Sequence, residues 1–495
     1  MPGSTRPSPP TGPAPQLGPR ELVALAALLA LGAAACALRA WRAPVGFVEI
    51  CVMRMIAQPL AGTLQTVAAD IHPPLMFALR WFAAALLGHG ATPQKALSVA
   101  IAALQLLPAY LLGRRLFGVR AAWLGTALLA LHPLTLLYGS EVEDYALVSL
   151  LVLCTWQFAF AWLADRQPLD AVGYVIAAAL AAWCEYLTLP LTLLVLVYGV
   201  IRLRGDGEAI STWLAMHAGV ALLFAPQTPT FLAQYAREGN GAYFHLPSWP
   251  ALRSEAHALG FDSYKGAALL GGVAAFAVLA PATRAAALGM LMLGTLPVLA
   301  SRFWVAILPR DMLFLLPPWL LLASAGVSQL PARTVRYGAA VGLLALGAHA
   351  SWNLPVASEL TASAAALHYV QAHAQAGDVI VHAETHSLLF FGYHKASHSP
   401  HTRDRVLVPQ GAAIPYFEGG LSVPDSLRWW PSDLAAARAA GTRMWCVSLD
   451  RAFVTRGVVS RATRFADSCF AAAGAESAFA ASPLRVRLLR AAMLR

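Results

Sequence analysis

Long apolar runs decide what this chain can become. About eleven stretches of spanning length are centred near Ala30, Leu106, Ala130, Leu153, Ala178, Leu194, Val220, Ala274, Leu291, Leu320 and Leu343. A helix needs ~20 mostly apolar residues to cross the hydrocarbon of a bilayer, where each backbone amide must be satisfied within the segment itself. With 58% hydrophobic and only 12% charged residues, the chain is far too apolar for an average soluble domain. The expected fold class is an α-helical polytopic membrane protein.

The opening MPGSTRPSPPTGPAPQLGPR is rich in Pro, Gly and Ser and lacks the apolar content to fold, so residues 1–20 read as a disordered cytoplasmic N-terminus. The apolar run from Leu22 to Leu38 starts too late for a signal peptide and has no obvious small-residue cleavage site. It reads as an anchor that stays.

Arginines set the orientation. Arg114, Arg115 and Arg120, then Arg166, then Arg202 and Arg204, then Arg284, then Arg333 and Arg336 fall in alternate short loops. Cytoplasmic loops retain Arg and Lys, so these loops, with Arg6 and Arg20, belong inside. Eleven crossings then put the C-terminus outside. The pattern holds only if a twelfth apolar run, 73–87, lies along the outer membrane surface. That run opens with two prolines, which suit a first helical turn, and carries Arg80-Trp81, read as an interfacial pair. Arg39 and Arg42 stand outside the pattern, at the outer end of the first helix.

The net charge of +10 does not point to nucleic acid. The arginines are spread singly rather than gathered in the patch or stripe that such binding requires. Inside loops and an anionic lipid substrate explain the balance.

After Trp352 the long apolar runs stop. SELTASAAALHYVQAHAQAG reads as an amphipathic helix ending at Gly377, DVIVHA as a buried strand, PSDLAAARAAGT as a helix, RMWCVSL as a strand and LRVRLL as a last strand. The expected organisation is a transmembrane domain over 21–352 with a periplasmic loop at 42–93, followed by a small periplasmic α/β domain over 353–495. Cys446 and Cys469 lie in the latter. Their pairing is left open, because sequence does not give their separation.

The stretch GFVEICVMRMIAQPLAGTLQTVAADIHPPLMFALRWFAAALLGHG, residues 46–90, is the chemical centre of the sequence. It carries Glu49, Arg54, Asp70, His72 and Arg80 between two apolar runs. Ionisable groups so close to hydrocarbon are costly and tend to mark working sites.

AADIHPPL, read with the loop before it, resembles the GT-C superfamily of membrane glycosyltransferases that use polyprenyl-phosphate sugars, the relatives of protein O-mannosyltransferases and aminoarabinose transferases. That family has an Asp-Glu pair after its first helix and a His-Pro-Pro some two dozen residues on. His72-Pro73-Pro74 is present here, and Val48-Glu49 falls on the pair. LLGRRLFGVRAAWLGTALLALHPLTLLYGSE, YGSEVEDYAL, LPRDMLFLLPP and HYVQAHAQAGDVIVH are similar, in order, to later segments of the bacterial branch. The resemblance implies GT-C architecture in a bacterial inner membrane. It implies sugar transfer from a polyprenyl-phosphate-linked sugar to a cell-envelope acceptor, with inversion at the anomeric carbon. Two departures stand out: Val48 replaces the family's first carboxylate, and Glu143 stands where this branch commonly has Arg.

The residue types suit that chemistry. A carboxylate takes the acceptor proton, and cations or helix N-termini stabilise the departing phosphate. Glu49 and Asp70 are the preferred carboxylates, with N-capping of the next helix as the structural alternative for Asp70. Glu141, Glu143 and Asp144 form an acidic outer loop. There, close approach would raise carboxylate pKa values, or a divalent cation could sit. That cation is the one cofactor left open; no metal ligand is assigned. His72, Arg54, Glu185, Tyr186, Lys265, Arg302 and Arg310 are the candidates for binding sugar or phosphate. A histidine-rich segment (His382, His386, His394, His398, His401) lacks the cysteines or tight repeated pairs of a zinc site. The rival expectation is a non-catalytic relative that binds lipid-linked sugar or a partner protein. A transporter is disfavoured, because the polar residues gather at one face rather than at mid-membrane.

Overall fold

The computed structural model describes residues 17–238, 249–300, 312–354, 358–383, 385–395, 402–407, 427–449, 468–469, 476–481 and 484–489. The chain divides into two compact units. One comprises Met1–Trp41, His72–Gly239 and Tyr243–Leu354; the other comprises Arg42–Ile71, Asn240–Ala242 and Pro355–Arg495. The stretch 46–90 is therefore split: its first part belongs with the C-terminal residues, and from His72 onward it belongs with the helices.

The first unit is helical. Among the described residues, five helices are long and apolar enough to cross a membrane: Pro19–Arg42, Ala91–Phe117, Tyr145–Asp165, Gly207–Arg237 and Met312–Gln329. The helices Val119–Ala130, Pro168–Cys184, Thr188–Arg202, Tyr264–Leu279 and Arg284–Leu299 are apolar but shorter. Leu75–Leu87, at 13 residues, rises only about 20 Å. Met312–Gln329 is the central helix. It is buried on every side from Met312 to Val327 apart from Trp319 and packs against Val119–Ala130, Tyr145–Asp165 and Tyr264–Leu279. An apolar surface all round a helix is what such a position requires.

Small residues set the approach of these helices, as expected where no water drives association. A Cβ on Gly326 would lie 1.7 Å from the carbonyl oxygen of Val273, and one on Gly199 would lie 2.2 Å from the Trp213 ring. Trp213 in turn stacks on Trp162 and on Tyr174, each at 5.4 Å. The Tyr174 hydroxyl meets His217 Nε2 at 2.6 Å.

The two ends of Pro19–Arg42 carry different chemistry. Glu21 pairs with Arg114 at 3.2 Å and takes a hydrogen bond from the Tyr110 hydroxyl. Arg39, eighteen residues on, lies in electrostatic reach of Glu141. Eighteen residues of helix rise about 27 Å, close to the hydrocarbon thickness of a bilayer. The sequence pattern left Arg39 unexplained; its acidic neighbour supplies the reason for its place.

The second unit holds a six-stranded sheet. Its strands are β1 (Val379–His382), β2 (Arg403–Leu407), β3 (Arg428–Trp429), β4 (Met444–Leu449), β5 (Glu476–Ala481) and β6 (Leu484–Leu489), in the order β3-β2-β1-β4-β6-β5. β1 is parallel to β2 and β4, and β6 is antiparallel to β4 and β5. Val379, Val381, Met444 and Cys446 are buried in its core, with Leu407 and Leu434. Cys469 packs against that core, and both it and Cys446 are free thiols. The helices Ser358–His373 and Pro431–Ala439 precede β1 and β4, and Gly377 and Gly441, both at positive φ, turn the chain into those strands.

Candidate active site

In the helical unit, the end that holds Arg39 and Glu141 also gathers His72, Arg80, Glu143, Asp144, Glu185 and Tyr186. The chain enters it at His72. Pro73 and Pro74 do not open the next helix from inside: Pro74 is the N-cap of Leu75–Leu87 and offers no side-chain bond. Asp70 is therefore not that helix's N-cap. The His72 ring sits edge-on to Phe77 at 6.3 Å. Its backbone carbonyl accepts from Gln234 Nε2 at 3.2 Å. Gln234 Oε1 accepts from the Tyr186 hydroxyl at 2.6 Å, and that hydroxyl accepts from Gln227 Nε2 at 2.8 Å. His72 and Tyr186, far apart in sequence, are thus joined through one buried glutamine. Burial raises the Tyr186 phenol above its ordinary pKa, the Gln227 bond opposes that, and the Glu185 charge adds to it. The phenol stays a proton donor near neutrality.

Arg80 is the largest surprise. It was expected at the membrane interface, yet it is 2% exposed. Its guanidinium donates to the Gln94 carbonyl at 3.2 Å, to Ser98 Oγ at 2.8 Å and to the Glu143 carbonyl at 2.6 Å, and its Nε lies 3.1 Å from Met76 Sδ. A guanidinium forks its donors in a fixed plane. One side chain therefore ties Leu75–Leu87 to Ala91–Leu104 and to the loop before Tyr145–Asp165. Beside it, Lys95, also buried, donates to the Ala40 carbonyl at 3.4 Å.

The acidic loop is held inward. Glu143 and Asp144 are buried, Glu141 less so. Asp144, Glu185 and Arg80 all act electrostatically on Cys184, itself fully buried. Glu185 is extended after Cys184 and accepts from the Leu187 amide at 3.0 Å. Carboxylates taken out of water need such cationic and donor neighbours, and Arg80 and Arg39 are the cations in electrostatic reach of this group.

The remaining candidates lie elsewhere. Lys265 is exposed at the start of Tyr264–Leu279. Arg302 and Arg310 lie outside the described residues, as do His398 and His401. Glu49, Arg54 and Asp70 belong to the second unit. Arg54 is exposed there; Glu49 and Asp70 are buried. Glu49 is the third residue of Phe47–Ile56, and its Oε2 accepts from the Gly46 amide at 2.7 Å, closing the helix N-terminus on itself. Its charge reaches Tyr393, whose phenol burial and that charge together push upward. Also in this unit, His394 Nε2 meets the Val45 carbonyl at 2.9 Å. His382 is bound to Ser387 Oγ at 3.0 Å and Asp404 Oδ1 at 3.3 Å. These two histidines thus serve packing. Among the described residues, no three His, Cys, Asp or Glu are placed to hold a metal ion.

Residues 71–229 match the family described as dolichyl-phosphate-mannose-protein mannosyltransferase. No curated protein sequence matches significantly. Among solved structures, ArnT from Cupriavidus metallidurans in the apo state is 14% identical, over 95% of this chain and 98% of that one, with a TM-score of 0.62. The same protein bound to undecaprenyl phosphate is 15% identical over the same shares, with a TM-score of 0.59. An Archaeoglobus fulgidus oligosaccharyltransferase, tethered to an acceptor peptide containing the NVT sequon, is 11% identical over 86% of this chain and 69% of that one, with a TM-score of 0.50. The resemblance to GT-C glycosyltransferases carried by AADIHPPL is therefore borne out, by a family match across 71–229 and by an ArnT-like fold along nearly the whole chain.

Proposed function

We propose that the protein is an integral-membrane glycosyltransferase that moves a sugar from a polyprenyl-phosphate carrier to a hydroxyl of a cell-envelope acceptor. One observation carries the reading: His72, Arg80, Glu143, Asp144, Glu185 and Tyr186 gather at one end of the helical unit, and all lie within the stretch that matches the mannosyltransferase family. A polyprenyl tail stays in the bilayer, so the phosphate and its sugar must be met where helices end and polar groups begin.

The chemistry follows from the carrier. A carboxylate draws the proton from the acceptor oxygen as that oxygen attacks the anomeric carbon. The bond to the phosphate breaks, and the polyprenyl phosphate leaves as an anion that cations hold. Glu49 and Asp70 are assigned as the carboxylates, with Lys265 and Arg310 on the phosphate. In this reading eleven helices cross a bacterial inner membrane, with the N-terminus cytoplasmic and the sheet-bearing unit outside.

A second reading has an observation of its own. Val48 cannot accept a proton, and Glu49 already spends one oxygen on the Gly46 amide. A relative that binds lipid-linked sugar without transferring it would fit both.

The test is reconstitution into liposomes with radiolabelled polyprenyl-phosphate sugars and envelope extract as acceptor. Label transfer by the wild type, abolished in Glu49→Gln or Asp70→Asn, supports the first reading. Transfer that survives both substitutions removes these carboxylates from the mechanism. Saturable donor binding without transfer establishes the second reading.

A further inference from the structure

Four arginines of the basic end are already engaged. Arg114 pairs with Glu21 at 3.2 Å and Arg115 with Asp165 at 2.7 Å. Arg166 donates to the carbonyls of Trp162 and Leu163, and Arg284 to those of Val278 and Leu279. Three others are not engaged in this way. Arg120 begins Val119–Ala130, Arg333 and Arg336 begin Arg333–Trp352, and the two helices pack together. The Arg333 guanidinium lies 5.5 Å from the centre of the Tyr337 ring, and Arg120, Arg333 and Arg336 all act electrostatically on the Tyr337 hydroxyl. None of the three arginines is in an ion pair among the described residues.

Like charges repel when they are gathered, and an anion among them reverses the sign. Arg333, Tyr337 and Val341 follow one another at four-residue spacing, and Arg336 stands three residues after Arg333, so they share a face. Val335, Tyr337 and Val341 are each more than half exposed. A cationic crown thus stands at the end of an uncovered apolar helix surface, which is the shape of an amphiphile's binding site. The N-termini of both helices lie at this end, adding partial positive charge.

We propose that Arg120, Arg333, Arg336 and the Tyr337 hydroxyl form a headgroup site for an anionic phospholipid of the surrounding bilayer. The acyl chains lie along the Val341 face. Basic pockets between transmembrane helices hold anionic headgroups by this physics. The site lies at the end of the unit opposite the candidate active site and does not depend on transfer chemistry.

Native mass spectrometry of the full chain in detergent tests it, with added phosphatidylglycerol, phosphatidylcholine or inorganic phosphate. The expected result is retention of phosphatidylglycerol over phosphatidylcholine, falling about fivefold for each arginine replaced in Arg120→Gln, Arg333→Gln and Arg336→Gln. Arg284→Gln should retain the wild-type preference. Because replacement could disturb folding, the wild type alone gives a second reading: the preference should vanish at high salt, since exposed charges are screened. Equal retention of the two lipids, phosphatidylglycerol adducts that survive the triple substitution, or binding of inorganic phosphate in preference to lipid would each overturn the assignment.

Discussion

The guanidinium of Arg80 donates to the backbone carbonyl of Glu143 at 2.6 Å, across 63 positions of sequence. The bond joins the helix after His72 to the acidic loop, and the same side chain holds Ser98. Removing it leaves buried acceptors without a donor and an acidic region with one cation fewer. Arg80→Met should therefore cost about 3 kcal/mol, since breaking a buried charged network leaves uncompensated groups. Arg80→Lys should recover part of this, as lysine restores the charge but not the fork. Thermal unfolding in detergent, followed by tryptophan fluorescence, reads both. Equal midpoints for wild type and Arg80→Met would show the network to be idle.

Glu49 offers a separation of structure from chemistry. Its bond to the Gly46 amide is one a glutamine oxygen can also accept. Glu49→Gln should thus unfold with the wild type, while Glu49→Ala should lose about 1 kcal/mol, the usual worth of a helix-terminal cap. If Glu49 takes the acceptor proton, Glu49→Gln should lose about a hundredfold or more in transfer rate. A glutamine variant with full rate and wild-type stability would leave Glu49 as a cap alone.

Acid should act on the sheet-bearing unit through Asp404. Burial alone would raise its pKa, but the His382 hydrogen bond, the His382 charge and the Lys395 ammonium outweigh burial and hold it below the ordinary 3.8. Lys395 Nζ lies 3.1 Å from its Oδ2. A carboxyl with a depressed folded pKa binds fewer protons folded than unfolded. Its stabilising contribution is therefore complete above about pH 4 and is lost as pH falls through the lower folded value. Urea unfolding of the full chain between about pH 2 and 5, followed by probes in the C-terminal unit, should show this slope. Asp404→Asn should flatten it. An unchanged slope in Asp404→Asn would assign it to other carboxyls.

The eleven-crossing topology is checked by a reporter. Alkaline phosphatase folds actively only on the outer side, where its disulfides form. Fused after Trp352 it should be active, and fused after Arg204 or Arg336 it should be silent. Activity at Arg336 and silence at Trp352 would invert the topology.

How much was legible in the sequence depended on whether a signal was local. Apolar length is local, and the runs are helices. Period and β-branched content are local, and DVIVHA, RMWCVSL and LRVRLL are β1, β4 and β6. β2, with the sequence RDRVL, hid behind its charges: Asp404 faces His382 and Lys395, a reason that lies in other segments. Arg80 misled for the same reason. Beside Trp81 in an apolar run it has the signature of an interfacial anchor, and only the fold brings Gln94, Ser98 and the Glu143 carbonyl to it. One clue was available: Gln94, Lys95 and Ser98 fall on adjacent positions of a helix that is otherwise apolar, and a polar stripe there implies a polar partner. The Tyr186 network had a weaker clue, in Gln227 and Gln234 near the end of a spanning run.

The sheet also imposes an order of assembly. β6 pairs with β4 on one side and β5 on the other, so the last of the described strands fills the gap between two made earlier. While the chain emerges from the membrane, β4 can dock on β1 but keeps one bare edge until residues 484–489 arrive. A bare edge recruits other strands. A stop codon after Ser468 would therefore leave every helix of the first unit made but the sheet with a permanently open flank, and the product's fate would be set by quality-control proteolysis rather than by the helices that precede it.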